Sequence, residues 1–460
     1  MDAREFETWS KRIAEWTAQY RDTLRDRPVR PDMAPGTVFN ALPAQPPEAG
    51  TDMDAIFADF ERIVPDAMTH WQHPRFFAYF PANAALPSVL AEQIVSAMAA
   101  QCMLWQTSPA ATEMETRMVD WLRQAMGLPQ GWRGVIQDSA SSATLSAVLT
   151  MRERALDFTG IHKGLSGQPA PRIYASAQTH TSVDKAIWVA GIGQDNLVKV
   201  PTRADHGMDP DALRAAIQTD RAAGHVPAGV VICLGGTAIG ASDPVEEIVA
   251  VAQAEGLYTH MDAAWAGSAM ICEENRSAWA GVERVDSVVF NPHKWLGAQF
   301  DCSVQFLRDP ADQLKTLTLR PDFLETPGVE DPVNYSEWTI PLGRRFRALK
   351  LWFLVRYYGL EGLRSRIRNH IAWAREAEAA IAASDGLEIV TPCAFSLFTF
   401  ACIAGDDATA DLLDRINKGG RTYLTQTRHE GRHVIRFQVG QFDCTREDVM
   451  AGVSAILEAL

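Results

Sequence analysis

The sequence predicts an α/β fold. Its main part is a largely parallel sheet with helices on both faces, flanked by an N-terminal helical arm and a small C-terminal α+β domain. Three observations predict it. Between about residues 80 and 319, short apolar runs alternate with helical stretches, the pattern of strands joined by crossover helices. Before residue 80 the apolar spacing is helical only. After residue 360 strand and helix patterns mix without regular alternation.

Taken in order, residues 1–25 read as an amphipathic helix, with Phe6, Trp9, Ile13 and Trp16 at helical spacing. Residues 27–49 are proline-rich and end in Pro46-Pro47-Glu48-Ala49-Gly50, an extended arm. A second helix is expected over 53–68. Two helices joined by an arm bury little core alone, so residues 1–79 are expected to pack on a partner subunit. The large domain is expected over 80–359. Its strands are read at 133–137, 172–175, 198–200, 229–234, 257–261, 287–291 and 303–307, and its helices include 140–156 and 244–254. Residues 308–339 carry Pro321, Pro327, Gly328 and Pro332 with little periodicity, the mark of a lid, placed at about 320–338. Helices over 341–358 and 360–383 follow. The small domain, 360–460, is expected to hold strands at 387–390, 396–401 and 434–439 and two further helices.

Composition narrows the function classes. Of 460 residues, 47% are hydrophobic and 22% charged, ordinary values for a globular protein with a sizeable core. The formal net charge of −14 and pI near 5.3 argue against binding nucleic acid or an anionic membrane. Seven cysteines (102, 233, 272, 302, 393, 402 and 444) are scattered, with no CxxC pair. They read as buried reduced thiols of a cytoplasmic protein. The polar start Met1-Asp2-Ala3-Arg4-Glu5-Phe6 does not read as a signal peptide, and the apolar stretch 84–100 is interrupted by Glu92. His70 and His73 are spaced i,i+3, but no third ligand accompanies them and no metal site is expected.

The chemistry concentrates at strand ends. Asn291-Pro292-His293-Lys294-Trp295 follows an apolar run and delivers an amine beside an imidazole. His260-Met261-Asp262-Ala263-Ala264 ends another with a carboxylate followed by small residues. A lysine can attach an aldehyde cofactor when its amine is neutral. A carboxylate can keep a pyridinium nitrogen protonated, and Ala263, Ala264 and Gly267 leave room for a flat ring. Together these are the means to hold pyridoxal phosphate and use it as an electron sink. Asp138-Ser139-Ala140-Ser141-Ser142 links a strand to a helix, as an anion site or an N-cap box, and Asn291 and His293 could add donors to it. His180 lies in a loop before a helix, where an imidazole can stack on a ring and carry protons. Thr237 lies beyond Leu234-Gly235-Gly236. Residues 70–81 are dense in aromatics, read as core and partly as a substrate wall. Tyr335, in the expected lid, is a phenol that could close over a substrate.

Together these residues resemble the pyridoxal-phosphate-dependent group II decarboxylases, and among them the aromatic-L-amino-acid decarboxylase type. The resemblance runs almost end to end. It rests on 73–81 (His-Pro-Arg-Phe-Phe-Ala-Tyr-Phe-Pro), 134–137 (Gly-Val-Ile-Gln), 260–267, 291–295 and 341–347 (Pro-Leu-Gly-Arg-Arg-Phe-Arg). It implies a fold-type I homodimer with shared active sites, acting on a small-molecule amino-acid substrate. By the resemblance Lys294 would carry the cofactor, Asp262 pair with the ring nitrogen and His180 stack on the ring. Ala140, Ser141, Asn291 and His293 would hold the phosphate, with Ala264 and Thr237 also at the cofactor. Trp71, Phe80, Pro81 and Ala82 would surround the substrate, and Met103 and Leu104 would come from the other subunit. Tyr335 would be the lid tyrosine that returns a proton to the substrate carbon.

The chain departs from the family pattern at Gly236, Asp138, Ala82 and Arg75. The expected reaction is decarboxylation of tryptophan, 5-hydroxytryptophan, phenylalanine, tyrosine or DOPA to the amine and CO2. An aldehyde synthase on the same scaffold, which adds oxidative deamination, is the rival. The resemblance associates that switch with phenylalanine at the lid position, so Tyr335 speaks for simple decarboxylation. A decarboxylase of a non-aromatic amino acid is the further alternative.

Overall fold

The computed structural model describes residues 1–319 and 332–460. The larger sheet has seven strands: β1 (Arg133–Gln137), β2 (Pro171–Ser176), β3 (Leu197–Val200), β4 (Val226–Cys233), β5 (Tyr258–Asp262), β6 (Ser287–Phe290) and β7 (Ser303–Leu307). Their order is β1-β7-β6-β5-β4-β2-β3. Strands β6, β5, β4, β2 and β3 run parallel, and β7 is antiparallel to both its neighbours. Because strand side chains alternate between faces, β4 serves two cores at once. Val230 and Ile232 pack with Leu213, Ile217 and Ile248 on one face. Val231 packs with Val148, Met151, Val183 and Ile187 on the other. A sheet buried on both faces explains the near-continuous apolar runs.

The smaller sheet is antiparallel, in order β10-β11-β9-β8. It is made of β8 (Leu387–Ala394), β9 (Leu397–Cys402), β10 (Thr425–His429) and β11 (Arg432–Gln438). Sequence reading missed β10, whose Thr-Gln-Thr-Arg-His has no apolar signal. Its own core includes Phe77, Phe398, Phe400, Phe437, Leu412 and Val453.

The two helices expected over 341–358 and 360–383 fill Ala348–Ala382 and meet at Gly359, which leaves helical geometry (φ 64°, ψ 167°) where the break was expected; the first begins at Ala348 rather than 341. It starts late because Pro341 and Gly343 occupy the approach. At the N-terminus, helices Ala3–Asp22 and Met53–Ile63 pack through Trp9 on Phe57 and Trp16 on Phe60. Within this chain the arm is tied to the C-terminal region by Arg21–Asp443 (2.6 Å) and Arg25–Asp448 (3.0 Å). Phe6, Ile13, Phe39, Leu42 and Ile56 stay exposed. All seven cysteines are free thiols. Among the described residues no helix is long and apolar enough to cross a membrane.

Candidate active site

Loops leaving the carboxyl ends of β1, β2, β4, β5 and β6 converge on one cavity of about 180 Å³, where parallel sheets place their ligands. Its lining includes Lys294, Asp262, His180, Asn291, Thr237, Ala264, Ala140, Ser141 and Phe80. Residues from six separate stretches of sequence thus meet, three of them because sheet order brings β4, β5 and β6 side by side. Register sets Asp262 beside Cys233 of β4 and Val289 of β6.

Lys294 sits in a wide helical turn, Pro292–Leu296, after β6, and itself leaves helical geometry (φ −91°, ψ −113°). The turn is closed by Gly297 at φ 96°, where a Cβ would lie 2.1 Å from the Phe442 ring, so only glycine fits. Asn83 fixes the lysine's backbone: its Nδ2 donates to the Lys294 carbonyl (2.7 Å) and the Gly440 carbonyl (2.9 Å). Among the described residues the Lys294 amine has no hydrogen-bond or ion-pair partner. It lies 5.4 Å from the centre of the Phe80 ring. Burial lowers its pKa; the Asp262 charge works against this, and Arg436 adds to it. Loss of hydration disfavours the ammonium, a shift toward the neutral amine that attack on a carbonyl requires.

Asp262 is buried, and its Oδ1 accepts the Ala264 N–H (3.0 Å). His180 Nδ1 accepts the Ser182 backbone N–H (3.1 Å) and lies 2.9 Å from the Ser182 hydroxyl. An accepting Nδ1 leaves Nε2 to carry the proton of the neutral ring. Burial lowers the His180 pKa, with Asp262 opposing and Lys294 assisting. The helix Ala140–Ala155 opens at the cavity, capped by Ser139, whose Oγ accepts the Ser142 N–H (3.2 Å). The segment is thus an N-cap, and Ala140 and Ser141 line the cavity. Asn291 is buried, and its Oδ1 accepts the Ser303 hydroxyl (2.7 Å), which leaves its amide N–H groups free to donate.

Seven expected site residues do not line this cavity. His293 is buried behind it; its Nδ1 accepts the Cys302 N–H (2.9 Å), and its ring packs edge-on to Phe300. Trp71 packs on Phe76 and Tyr79, outside the cavity. Pro81 and Ala82 also lie outside it; the Ala82 carbonyl accepts from Gln72 (2.6 Å). Met103 stands with the described end of the expected lid, its carbonyl accepting the Ser336 N–H (3.0 Å), and Leu104 follows it in the chain. Tyr335 is the main correction. It is only 3% exposed, packs against Trp338, lies 2.9 Å from the Thr116 hydroxyl, and lines a different cavity with Arg133 and Trp132. Arg344, itself paired with Glu115 (2.6 Å), sits 5.0 Å from its ring. Held on these sides, it is a packing residue rather than a phenol poised over this chain's cavity. The rest of the expected lid, 320–331, lies outside the described residues.

Sequence reading missed Trp265, Cys233 and Arg436. Trp265 stacks on Phe80 at 4.3 Å, extending an aromatic wall that continues to Trp295. Cys233 lines the cavity, its thiol held protonated by burial. Arg436 of β11 is buried; it donates to the Ala238 carbonyl (3.1 Å) and the Thr425 hydroxyl (3.2 Å), and lies 5.3 Å from the Phe80 ring. Burial pushes its pKa down to about 10. The signal was present: an arginine inside the apolar run 434–439.

An enclosed amine without a partner, a buried carboxylate, a helix N-terminus with serine hydroxyls and a floor of small residues fit pyridoxal phosphate. Comparison with known proteins agrees. Residues 35–403 match the family described as the pyridoxal-dependent decarboxylase conserved domain. The chain is 37% identical to aromatic-L-amino-acid decarboxylase of Mus musculus over 453 residues, 95% of this chain and 94% of that one. It is 34% identical to phenylacetaldehyde synthase of Arabidopsis thaliana, over 96% and 92% of the two chains. Its structure is similar to the crystal structure of Oryza sativa TDC with PLP and tryptamine, with a TM-score of 0.95 and 34% identity over 100% of this chain and 98% of that one. The cofactor is pyridoxal phosphate, the activity is that of a carboxy-lyase, and the chain belongs to the pyridoxal-dependent decarboxylase family.

Proposed function

We propose that this decarboxylase acts on an aromatic L-amino acid (tryptophan, 5-hydroxytryptophan, phenylalanine, tyrosine or DOPA) and releases the arylalkylamine and CO2. The observation that carries the substrate class is the stacked wall of Phe80 and Trp265 beside Lys294. A flat apolar side chain gains area and ring contacts there. The lining contains no arginine, so a substrate with a side-chain carboxylate would lack a dedicated cation.

When bound, pyridoxal phosphate supplies an electron sink for the pair left on Cα as CO2 departs. The chain's own residues do the rest. Lys294 would anchor the cofactor through its amine. Asp262, buried in the cavity wall, would keep a ring nitrogen of the bound cofactor protonated. Ala140 and Ser141, at the helix N-terminus, and the Asn291 amide receive the phosphate. His180, through Nε2, stacks and moves protons. Thr237 and Ala264 bound the ring. Tyr335 and His293 are given no role at the reacting atoms.

A second reading, oxidative deamination to the aldehyde, is favoured by one observation. The expected phenol, Tyr335, is buried elsewhere and bonded to Thr116, and the sequence from 320 to 331 holds Phe323 as its one aromatic residue. One assay separates the readings. The cofactor-loaded protein is incubated with a panel of amino acids, and CO2, amine, aldehyde and peroxide are measured. Amine without stoichiometric peroxide supports the first reading; aldehyde with peroxide supports the second. CO2 from non-aromatic substrates alone contradicts the substrate class.

The same reading makes the protein a cytoplasmic homodimer divided at residues 1–79, 80–359 and 360–460. Helix Leu86–Met98 supports the dimer by exposing Leu86, Leu90, Ile94 and Met98 in one stripe, with Phe300, Ile340 and Leu342 also exposed. The two cores and the kink at Gly359 support the division. Light scattering in solution tests the dimer, with a mass of one chain as the contrary result.

A further inference from the structure

Away from the cavity, two turns that are remote in sequence bring three metal-binding side chains together. We propose that His206, His429 and Glu430 form a site for one divalent transition ion of the zinc class, joining the larger sheet to the smaller one. One ligand atom from each of the three lies within 4.8 Å of the others. The two imidazole rings meet edge to face with centroids 4.6 Å apart.

Both turns are built to hold their residues. His206 tops the loop between β3 and the helix Pro210–Ala222, at φ 65°. That loop is closed by Arg203 N–H to the Gly207 carbonyl (2.8 Å) and Asp209 N–H to the Pro201 carbonyl (2.9 Å). Buried Asp243 accepts the Met208 N–H (2.8 Å) and the Cys233 N–H (2.7 Å), anchoring the loop to the end of β4. Opposite it, His429 pairs with Arg432 across the β10–β11 hairpin. The two residues between them, Glu430 (φ 49°) and Gly431 (φ 83°), both have positive φ, as in the tight turns that suit twisted hairpins. His429 is buried to 8% exposure, while Glu430 is exposed.

The donor set selects the ion. Two imidazole nitrogens and one carboxylate oxygen suit zinc and its first-row neighbours, whereas magnesium and calcium favour oxygen. Bonds of roughly 2.0–2.2 Å place tetrahedral ligands roughly 3.3 Å apart, so the side chains must draw in by an ångström or so. The exposed Glu430 side chain can turn to do this. Three protein donors leave a fourth position for water. The nearby cation Arg432 is engaged by Glu388, which limits its repulsion. An ion here would pin the hairpin whose strand β11 also carries Arg436, 5.3 Å from the Phe80 ring, so it would act as a clamp between the sheets rather than in the chemistry.

The test uses the holoenzyme dialysed free of metal. Equilibrium dialysis against zinc alone should load one ion per chain at micromolar concentration, and the melting temperature should rise. Cobalt(II) should give a visible absorption band beyond that of the cofactor, reporting direct coordination. His206→Gln and Glu430→Gln, both altering side chains on turns, should each weaken zinc binding by at least about tenfold and abolish the cobalt band, with cofactor absorbance unchanged. Wild-type protein that binds no zinc at micromolar concentration, or variants that bind it like wild type, would overturn the proposal.

Discussion

Two buried lysines in this chain have opposite fates. Lys350, on the long helix, is fully enclosed, and its amine donates to the Asp301 carbonyl (2.8 Å) and to both the carbonyl (3.1 Å) and Oε1 (3.0 Å) of Gln299, with Glu92 2.7 Å away. Lys294 opens on a cavity and has none of these. Every proton of Lys350 has a use, so it is a fixed cation that ties the helix to the loop before β7. Burial of Lys294 without partners drives its pKa down instead. Partners, more than burial, decide which lysine is structural and which is available for chemistry.

The sharpest way to break this contrast is substitution. Lys294→Ala should lower turnover by at least about a thousandfold while the protein stays folded, read by CO2 release and circular dichroism. Asp262→Asn should follow, with kcat down about a hundredfold or more and a changed cofactor spectrum. Lys350→Met should do the reverse: it takes the donor from Gln299 and Asp301 and one of the two cations from Glu92, which keeps Arg345, and should cost about 1–3 kcal/mol of stability, seen in urea unfolding, with turnover per bound cofactor little changed. Near-normal activity in Lys294→Ala, or a dead but stable Lys350→Met, would invert the comparison.

Burial also predicts a pH effect. Burial pushes the pKa of His260 down to about 4 and those of His293 and His370 down to about 3. In the unfolded chain these rings protonate near pH 6.5. The unfolded state therefore binds more protons as pH falls from 6.5 toward 4, and stability falls with it, by about 1 kcal/mol per histidine at pH 5.5. Asp243, raised to about 6 by burial, opposes this because its folded form takes up a proton first. The net expectation is a lower urea midpoint at pH 5.5 than at 7.5; a higher one would mean that the carboxylates dominate. The smallest effect is that of Tyr335→Phe. Losing the bond to Thr116 should cost about 1 kcal/mol and leave the ratio of amine to aldehyde unchanged. A shift in that ratio would return Tyr335 to the reaction.

The sequence made the strand-end residues legible because chemistry and structure coincide there. Lys294, Asp262 and Asn291 each end an apolar run, and the parallel sheet then sets them side by side. The small residues Ala140 and Ala264 were legible for the same reason. What lay in irregular segments was not. Tyr335 and Trp71 were read from resemblance, and neither segment has a periodicity that fixes where a side chain points. The Phe80–Trp265 stack and Arg436 depend on contacts between distant stretches of chain. So does the His206–His429–Glu430 cluster, in which His206 is more than two hundred residues from the adjacent pair His429 and Glu430.

The most direct test of the central claim is to trap the cofactor. The holoenzyme is reduced with borohydride, digested, and the modified peptide identified by mass spectrometry. The account predicts the label on Lys294 and none on Lys350. A label on any other lysine, or none on a protein that binds pyridoxal phosphate, would contradict it.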